Sequence, residues 1–364
     1  MAHPAETRKL NRAEVVDAQF LRYLETLDPG KTSTGSPDGP GDVDLLELFE
    51  SQLISRQLDL MARVKRKEDK VFYTIGSSGH EGNAMVGRLT RATDPAFLHY
   101  RSGAFVAERY RKVDGLDFVR DTCLSFAAAA DDPASGGRHK VWGHRKLWIL
   151  PQTSTIASHL PKAVGTALAI AHAGRIGHAL DVPGDSIVVC SFGDASANHA
   201  TAQAAFNTAA WTRHQNLPLP ILFVCEDNGL GISVPTPSGW TARSLASRHG
   251  LDYVHADGLD LDAGWGPIAE AVRQCRERRR PTLLHLDVTR LMGHAGTDFE
   301  IEYRDPSDLE RAEARDPLLV SARLCVERGL LTPARIRERY EAIRSQCLDE
   351  ADLADGRPRL TTAE

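Results

Sequence analysis

Hydrophobic and polar positions follow two different periods along the chain. From Asp44 to about residue 66, apolar side chains recur at helical spacing, which predicts a long amphipathic helix that packs along a larger body. Short apolar or β-branched runs occur later, at residues 186–191, 219–225 and 281–288. Helical patterns lie between or before them, at residues 161–173, 198–213 and 263–279. This alternation predicts βαβ units and an α/β fold with a parallel sheet flanked by helices.

The two ends of the chain have a different pattern. Residues 1–28 form a polar arm with some helical character, and residues 29–43 are so rich in Gly, Pro, Ser and Thr that we expect a linker. Charged helical patterns return after residue 306, and the last of them begins with Thr332 as its cap. The predicted division is an N-terminal arm and flexible linker (1–43), an α/β domain (44–306) and a C-terminal helical segment with a polar tail (307–364).

Composition narrows the class of protein. Of 364 residues, 42% are hydrophobic and 26% are charged, which is typical of a globular chain. The net charge is -5 and the basic residues are scattered, so neither nucleic acid nor an acidic membrane is indicated as a partner. No run approaches the ~20 apolar residues of a membrane span. The first residues also lack the apolar core of a signal peptide, so we expect a cytoplasmic protein.

The six cysteines carry no recognisable motif. They are far apart and form no CxxC pair, which argues against the usual zinc and redox sites. Cys190 and Cys225 fall in strand-like runs, where a free thiol behaves as a small buried hydrophobe. We assign the cysteines no chemistry.

Polar residues follow two of the predicted strands. Gly193 permits a tight turn after the first of these strands, and Asp194 offers a hard oxygen ligand before a helix whose N–H groups suit an anion. Asn228 follows the next strand. Because ligands bind outside the carboxyl ends of parallel strands, we expect Asp194 and Asn228 to meet at one point, which suits Mg²⁺ and a diphosphate. By themselves, these residues are a weak signal and are more typical of a turn aspartate and a loop asparagine.

A longer stretch, residues 193–236, resembles the thiamine-diphosphate motif of the α subunits of 2-oxo acid dehydrogenase E1 components. Four further motifs are similar to that family and stand in its order: GHEGNAMVG (79–87), HYRSG (99–103), PQTSTIASHLPKAVG (151–165) and RLMGHAG (290–296). The likeness extends from about residue 52 to residue 303. It implies a thiamine-diphosphate-binding fold.

The resemblance also implies a set of site residues. Mg²⁺ would be held by the side chains of Asp194 and Asn228 and by the backbone carbonyl of Leu230. Cofactor contacts are implied for Tyr100, Arg101, Ser154, Ile156, Gly193, Asp194, Ala195, Ser196, Asn228, Arg290 and His294. Two residues depart from the family pattern, since Ala195 replaces the usual Gly and Asp227 replaces the first of two Asn. Asp227 would add negative charge near the metal.

Several of these implied contacts have a clear physical basis. Arg101 matches the arginine that clamps the diphosphate, a task for which a planar cationic fork is well shaped. Ser154 and Ile156 match positions that contact the aminopyrimidine ring, where a branched side chain props the cofactor in a bent, preorganised form. His294 matches the catalytic histidine of the family's mobile loop, and Arg290 is implied to support that loop or the diphosphate.

The remaining histidines near the motifs are assigned structural or surface positions. They are His80, His99, His139, His144, His159, His172, His199 and His214.

By the resemblance, the chain is an enzyme subunit that decarboxylates a 2-oxo acid and passes the acyl group to the lipoyl group of an E2 acyltransferase. The family's active site also needs a glutamate from a β subunit, so we expect an E1 β partner, most often in an α₂β₂ assembly. GISVPT and the segment 151–165 are closer to the branched-chain enzymes than to the pyruvate enzymes. This predicts 3-methyl-2-oxobutanoate dehydrogenase activity. The polar end, RPRLTTAE, is typical of the start of a linker, as in relatives that fuse α and β.

Other functions share some of these features. A pyruvate or acetoin dehydrogenase E1 α subunit has every motif named above and differs only in substrate. A catalytically silent subunit with the same fold is the non-enzyme alternative, which Ala195 and Asp227 slightly favour. A nicotinamide-dependent dehydrogenase is disfavoured, because no GxGxxG follows a predicted strand.

Overall fold

A parallel sheet forms the centre of the chain in the computed structural model, which describes residues 12–138, 140–296 and 298–362. Its strands are β1 (Ala96–Phe97), β2 (Val188–Gly193), β3 (Ile221–Asp227), β6 (Asp252–Asp257) and β7 (Thr282–Asp287). They lie in the order β1-β2-β3-β7-β6, and every neighbouring pair is parallel. A separate antiparallel pair is formed by β4 (Leu230–Gly231) and β5 (Val234–Pro235).

Helices surround this sheet. They are α1 (Arg12–Thr26), α2 (Asp42–Lys67), α3 (Ala84–Leu89), α4 (Gly103–Tyr110), α5 (Phe118–Phe126), α6 (Leu160–Ile176), α7 (Ala200–His214), α8 (Trp240–Ala246), α9 (Leu261–Arg278), α10 (Pro306–Glu313), α11 (Pro317–Glu327) and α12 (Pro333–Asp355). Short 3₁₀ turns span Glu81–Asn83, Arg145–Leu147, Asp194–Asn198 and Glu300–Glu302. The predicted α/β fold, a parallel sheet flanked by helices, is confirmed.

The sheet is buried on both faces, which explains its continuous apolar runs. On β2, Val188, Cys190 and Phe192 belong to a core shared with α6 and α7. Val189, between them, belongs to the opposite core, which is shared with α2, α9 and α12. Successive side chains of a strand point to opposite faces, so a sheet between two helix layers needs apolar residues at every position.

The three predicted apolar runs correspond to β2, β3 and β7. β2 and β3 each begin and end two residues later than predicted, because backbone pairing continues to Gly193 on β2 and, against β7, to Asp227 on β3. β1 and β6 were not predicted. β1 has only two residues, and β6 is a half-exposed edge strand of sequence DYVHAD, so neither has a continuous apolar pattern.

The ends of the described chain pack on the central body. Phe20 of α1 and Tyr340 of α12 are fully buried in the same core as α2, with ring centroids 4.7 Å apart. Residues 29–41 form no helix or strand, as predicted for a linker, and α2 begins at Asp42 instead of Asp44. Thr332 caps α12 as predicted, since its hydroxyl accepts the N–H of Arg335 at 3.2 Å. The domain boundaries at residues 43 and 306 stay predictions.

The hydrophobicity of the helices and the positions of the cysteines bear on two of the predictions from sequence. None of the helices within the described ranges is long and apolar enough to cross a membrane. All six cysteines are buried and free of disulfides. Cys190 and Cys225 lie inside β2 and β3, where burial raises the pKa of both thiols. Their positions agree with a packing role.

A buried ion triad ties three elements together. Arg56 of α2 is fully buried, and its guanidinium bonds both carboxylate oxygens of Asp316 at 2.8 and 2.9 Å. Its Nε donates to Glu81 at 2.7 Å. Asp316 also caps α11 by accepting the N–H of Leu318 at 2.9 Å. The triad therefore joins α2, the turn Glu81–Asn83 and α11.

Replacing Arg56 by Ala is expected to lower the free energy of unfolding by about 3–5 kcal/mol, because two carboxylates would stay buried without a cation. Urea unfolding followed by tryptophan fluorescence measures this loss. The matched control is Arg339→Ala, which removes a half-exposed pair with Glu50 and is expected to cost under about 1 kcal/mol. Equal losses in the two variants would contradict a structural role for the triad.

Candidate active site

The carboxyl ends of β2 and β3 place two carboxylates side by side. Gly193 at the end of β2 pairs with Glu226 of β3, so Asp194 and Asp227 follow at neighbouring positions. Burial, with a smaller contribution from Asp227, raises the pKa of Asp194 to about 6. A cation bound beside Asp194 would offset both the cost of burying its charge and the repulsion by Asp227.

The loop after β3 folds back over the turn that carries Asp194. A Cβ on Gly231 would lie 3.0 Å from the Cβ of Ala195, which is a tight contact, so the two segments approach closely at this position of β4. The hydroxyl of Thr236 donates to the Asp194 carboxylate, and its backbone N–H donates to the carbonyl of Gly229 at 2.8 Å. The two segments that carry the predicted metal ligands therefore lie against each other.

Asn228 is held from both sides. Its Oδ1 accepts the backbone N–H of Leu230 at 3.0 Å, and its Nδ2 lies 2.9 Å from Nε2 of His80. The other ring nitrogen of His80 lies 2.6 Å from a carboxylate oxygen of Glu226. His80 was assigned a structural or surface position, and it is a fully buried residue that contacts a predicted metal ligand.

A buried polar cluster lies behind this asparagine. His80, His99 and Glu226 bring their ligand atoms within 4.8 Å of one another. Burial lowers the pKa of both histidines and raises that of Glu226. Both ring nitrogens of His80 are already bonded, so the cluster is a hydrogen-bonded network. Among the described residues, Nδ1 of His99 is buried without a partner, and Nε2 faces Gly193.

Asp227, which departs from the family pattern, turns to the opposite side of β3. Its Oδ1 accepts the backbone N–H of Gly229 at 3.0 Å, and its Oδ2 lies 2.9 Å from Nε2 of His285 on β7. Nδ1 of His285 lies 2.8 Å from the hydroxyl of Tyr253. Burial raises the pKa of Asp227, but these hydrogen bonds outweigh burial and leave it below its usual value. The added charge is thus stabilised within the sheet.

A second group of predicted residues gathers around Arg101. Its guanidinium donates to the carbonyl of Gly76 and lies 3.1 Å from Nδ1 of His294. Tyr100 packs beside both residues, with its ring 5.2 Å from the guanidinium carbon and 5.8 Å from the His294 ring. Burial lowers the pKa of Arg101, and burial with the nearby arginines lowers that of His294 to about 4. The structure brings Tyr100, Arg101 and His294 together.

Arg290 connects two loops of the site. It donates to the carbonyl of Ile232, between β4 and β5, at 2.7 Å, and to Glu300 at 3.0 Å and the hydroxyl of Tyr303 at 2.7 Å. Asp298, two residues before Glu300, accepts the backbone N–H of His294 at 2.5 Å. These bonds agree with loop support, the first of the two roles implied for Arg290.

Ser154 and Ile156 lie on an irregular segment at the rim. Ser154 is hydrogen-bonded to Tyr73, and Ile156 is 45% exposed. His159 attaches the end of this segment to β2, with its ring 2.8 Å from the carbonyl of Ser191. Within the described residues, no hydrogen bond or ion pair joins Ser154 or Ile156 to the other predicted site residues.

The turn after β2 differs from its prediction. Ala195 and Ser196 lie in the 3₁₀ turn Asp194–Asn198, and α7 begins only at Ala200. The predicted helical pattern began at residue 198, so α7 begins two residues later than predicted, because extended backbone at His199 separates the turn from the helix.

Two buried groups of opposite charge in the site have no counter-charge among the described residues. Asp194 is 2% exposed and Arg101 is 3% exposed. Within the described ranges, Asp194 has no Lys, Arg or His in ion-pair contact, and Arg101 has no carboxylate. Buried charges are normally paired or bound to a metal. The site therefore suits a ligand with a cation for Asp194 and an anion for Arg101, as a metal diphosphate provides.

Several contacts in this site were missed from the sequence. They involve His80, His99, Glu226, Thr236 and His285. Glu226 had a local signal, because it stands two positions before Asn228 on the same side of the strand end. The histidines had none, since their partners lie far away along the chain.

Comparison with known proteins identifies the family. A family model described as dehydrogenase E1 component matches residues 50–363. The 2-oxoisovalerate dehydrogenase subunit alpha of Bacillus subtilis is 28% identical over 327 residues, 87% of this chain and 93% of that protein. The mitochondrial mouse subunit of the same name is 26% identical over 82% of this chain and 68% of its own length. A pyruvate dehydrogenase E1 component subunit alpha of Rhizobium meliloti is 28% identical over 56% of each chain. The chain belongs to the dehydrogenase E1 component family.

Proposed function

We propose that this chain is the α subunit of a branched-chain 2-oxo acid dehydrogenase E1 component, active together with a β subunit. The carrying observation is the pair of unneutralised buried charges, Asp194 and Arg101, at the strand ends that bear the family's motifs. The relatives named for 2-oxoisovalerate match 82–87% of this chain, against 56% for the pyruvate relative. A pyruvate-specific enzyme is the second candidate, supported by that shorter match.

The family implies thiamine diphosphate as the cofactor, and we propose Mg²⁺ as its metal. Asp194, Asn228 and the carbonyl of Leu230 supply three oxygen ligands, the donor type that Mg²⁺ prefers. Arg101 holds the diphosphate as its buried counter-charge, with Tyr100 packed beside it. The backbone of Gly193, Ala195 and Ser196 lines the turn at the same strand end.

The bound cofactor supplies the electron sink for decarboxylation, and this chain's residues orient and desolvate the reactants. Ser154 and Ile156 would contact the aminopyrimidine part, which would cover the exposed side chain of Ile156. Arg290 holds the loop near His294 in place. Because Arg101 can only donate, His294 accepts at Nδ1 and carries its proton on Nε2, where it can donate to a substrate or acyl group.

The partners follow from the same proposal. A β subunit completes the active site, and the lipoyl domain of an E2 acyltransferase receives the acyl group from a 2-oxo acid substrate. A silent subunit is disfavoured, since the charge of Asp227 is stabilised by His285 and Ala195 keeps its backbone amide. A cytoplasmic location stays a prediction, because the relatives include mitochondrial proteins.

The test of the proposed function is oxidation of a panel of 2-oxo acids, with an artificial electron acceptor, by this chain purified with its native β partner. With thiamine diphosphate and Mg²⁺, 3-methyl-2-oxobutanoate and its homologues are expected to give the highest kcat/KM. A preference for pyruvate would establish the second candidate. Absence of activity with partner and cofactor bound would contradict both.

Asp227→Asn is expected to extend cofactor binding to lower pH. Asp194 binds the metal as a carboxylate, and its pKa is raised to about 6, so Mg²⁺-dependent binding weakens as pH falls through that value. Removing the neighbouring negative charge lowers this pKa, and the midpoint moves down by about half a unit or more. Calorimetric titration of thiamine diphosphate between pH 5 and pH 8 measures the shift.

The diphosphate itself titrates in the same way with the wild type and with Asp227→Asn, so comparing the two midpoints cancels its contribution. Asp194→Ala is the companion variant, and it is expected to abolish Mg²⁺-dependent binding at every pH. If it retained such binding, the ligand assignment of Asp194 would be wrong. An unmoved midpoint in Asp227→Asn would show that the two carboxylates do not interact.

His294→Ala is expected to leave thiamine diphosphate bound with nearly unchanged affinity. Turnover with a lipoyl domain should fall at least about 100-fold, because a positioned proton donor is lost. Calorimetry and the rate of lipoyl acylation separate the two effects. Normal acylation by the variant would rule out this role.

A further inference from the structure

A buried chain of hydrogen bonds leads from Glu226 through His80 to Asn228. His80 is fully buried, with Nδ1 at 2.6 Å from Oε2 of Glu226 and Nε2 at 2.9 Å from Nδ2 of Asn228. Glu226 and Asn228 are two positions apart at the end of β3, so both point to the side on which His80 lies. Asp227, between them, points to His285 on the other side.

The hydrogen bonds determine where the ring proton of His80 sits. Leu230 N–H donates to Oδ1 of Asn228 at 3.0 Å, so the amide nitrogen is the atom that faces His80. An amide nitrogen can only donate, which makes Nε2 of His80 the acceptor. The proton of the neutral ring is therefore on Nδ1, from which it is donated to Glu226.

Orientation matters because the two ends of an amide are opposite in polarity. The terminal torsion of asparagine has a broad, roughly two-fold profile, so rotation by half a turn exchanges oxygen and nitrogen. Only the oxygen binds a cation, whereas the NH₂ group would repel one. Besides His80, the backbone N–H of Leu230 orients this amide. Leu230 belongs to β4, and both β4 and its partner strand β5 have only two residues.

We infer that His80 is a positioning residue for the metal site, which holds the amide nitrogen of Asn228 so that its carbonyl oxygen is offered to Mg²⁺. Glu226 fixes the ring proton that makes this possible. The inference rests on the proposed function, because Asn228 is the ligand assigned there. Partners behind metal ligands commonly change metal affinity 10- to 100-fold when they are removed.

The support for Glu226 is itself built into the fold. Nδ2 of Asn83 donates to the same oxygen, Oε2, at 3.3 Å, and Ser102 lies 3.5 Å from Oε1. Asn83 also donates to the carbonyl of Arg101 at 3.1 Å. The network that orients Asn228 is thus continuous with the arginine proposed to hold the diphosphate. One set of buried bonds sets the metal side and the phosphate side of the site together.

The experiment measures the Mg²⁺ concentration for half-maximal thiamine diphosphate binding, by calorimetry, on the chain with its β partner. His80→Phe keeps the volume but removes both bonds, and the required Mg²⁺ is expected to rise about tenfold or more. His80→Gln has a donor and an acceptor and should stay within about threefold of the wild type. The matched control is His144→Phe, a buried ring beside Tyr110 outside the site, which should not change the requirement.

The outcomes separate this inference from the proposed function. An unchanged Mg²⁺ requirement in His80→Phe, or equal losses in the Phe and Gln variants, would overturn the positioning role alone. Failure of the wild type to bind thiamine diphosphate with Mg²⁺ would overturn the proposed function and the inference with it.

A second measurement decides the case if His80→Phe does not assemble with β. Long-range proton–nitrogen spectra of ¹⁵N-histidine-labelled wild type report which ring nitrogen carries the proton. The His80 signals are identified by their loss in His80→Gln. A proton on Nδ1 is expected, and one on Nε2 would overturn the inference.

Discussion

The parallel register of β2 and β3 is the constraint on which the site depends. Backbone pairing of Gly193 with Glu226 fixes the heights at which the two strands end. Asp194 on one strand and Asn228 on the other therefore reach the same edge of the sheet. Both strands are buried between two helix layers, so this register is held by packing on two faces.

Charge decides what that edge can bind. Burying a carboxylate and a guanidinium without counter-charges is costly, and proteins keep such groups only where something compensates them. Among the described residues, Asp194 and Arg101 have hydrogen bonds but no oppositely charged partner, whereas the nearby Arg290 is neutralised by Glu300 at 3.0 Å. The contrast separates residues that face a ligand from one that supports a loop. Thiamine diphosphate with a divalent cation has the charges that the first two residues lack.

Histidines supply much of the second layer of contacts. His80 contacts Asn228, and His285 contacts Asp227, so each of these two neighbouring side chains is fixed by an imidazole from another element. Each imidazole accepts or donates at one nitrogen while the other is held by a second partner, the buried Glu226 or the half-buried Tyr253. A neutral imidazole is suited to this task because it has one donor and one acceptor at fixed angles. Asp227 stands where the family pattern has Asn, and the negative charge that it adds is thereby accommodated within β3 and β7.

The sequence by itself determined the α/β class, the three long central strands, the main helices and the family. Those features depend on local periodicity and on motifs of a few residues, and Asp194, Asn228 and His294 stood inside such motifs. Only the tertiary structure decided which side chains meet behind them. His80 and Glu226 are 146 positions apart, and His285 and Asp227 are 58 apart. Periodicity reports which face of an element is buried, but the partner on that face depends on how distant elements pack against one another.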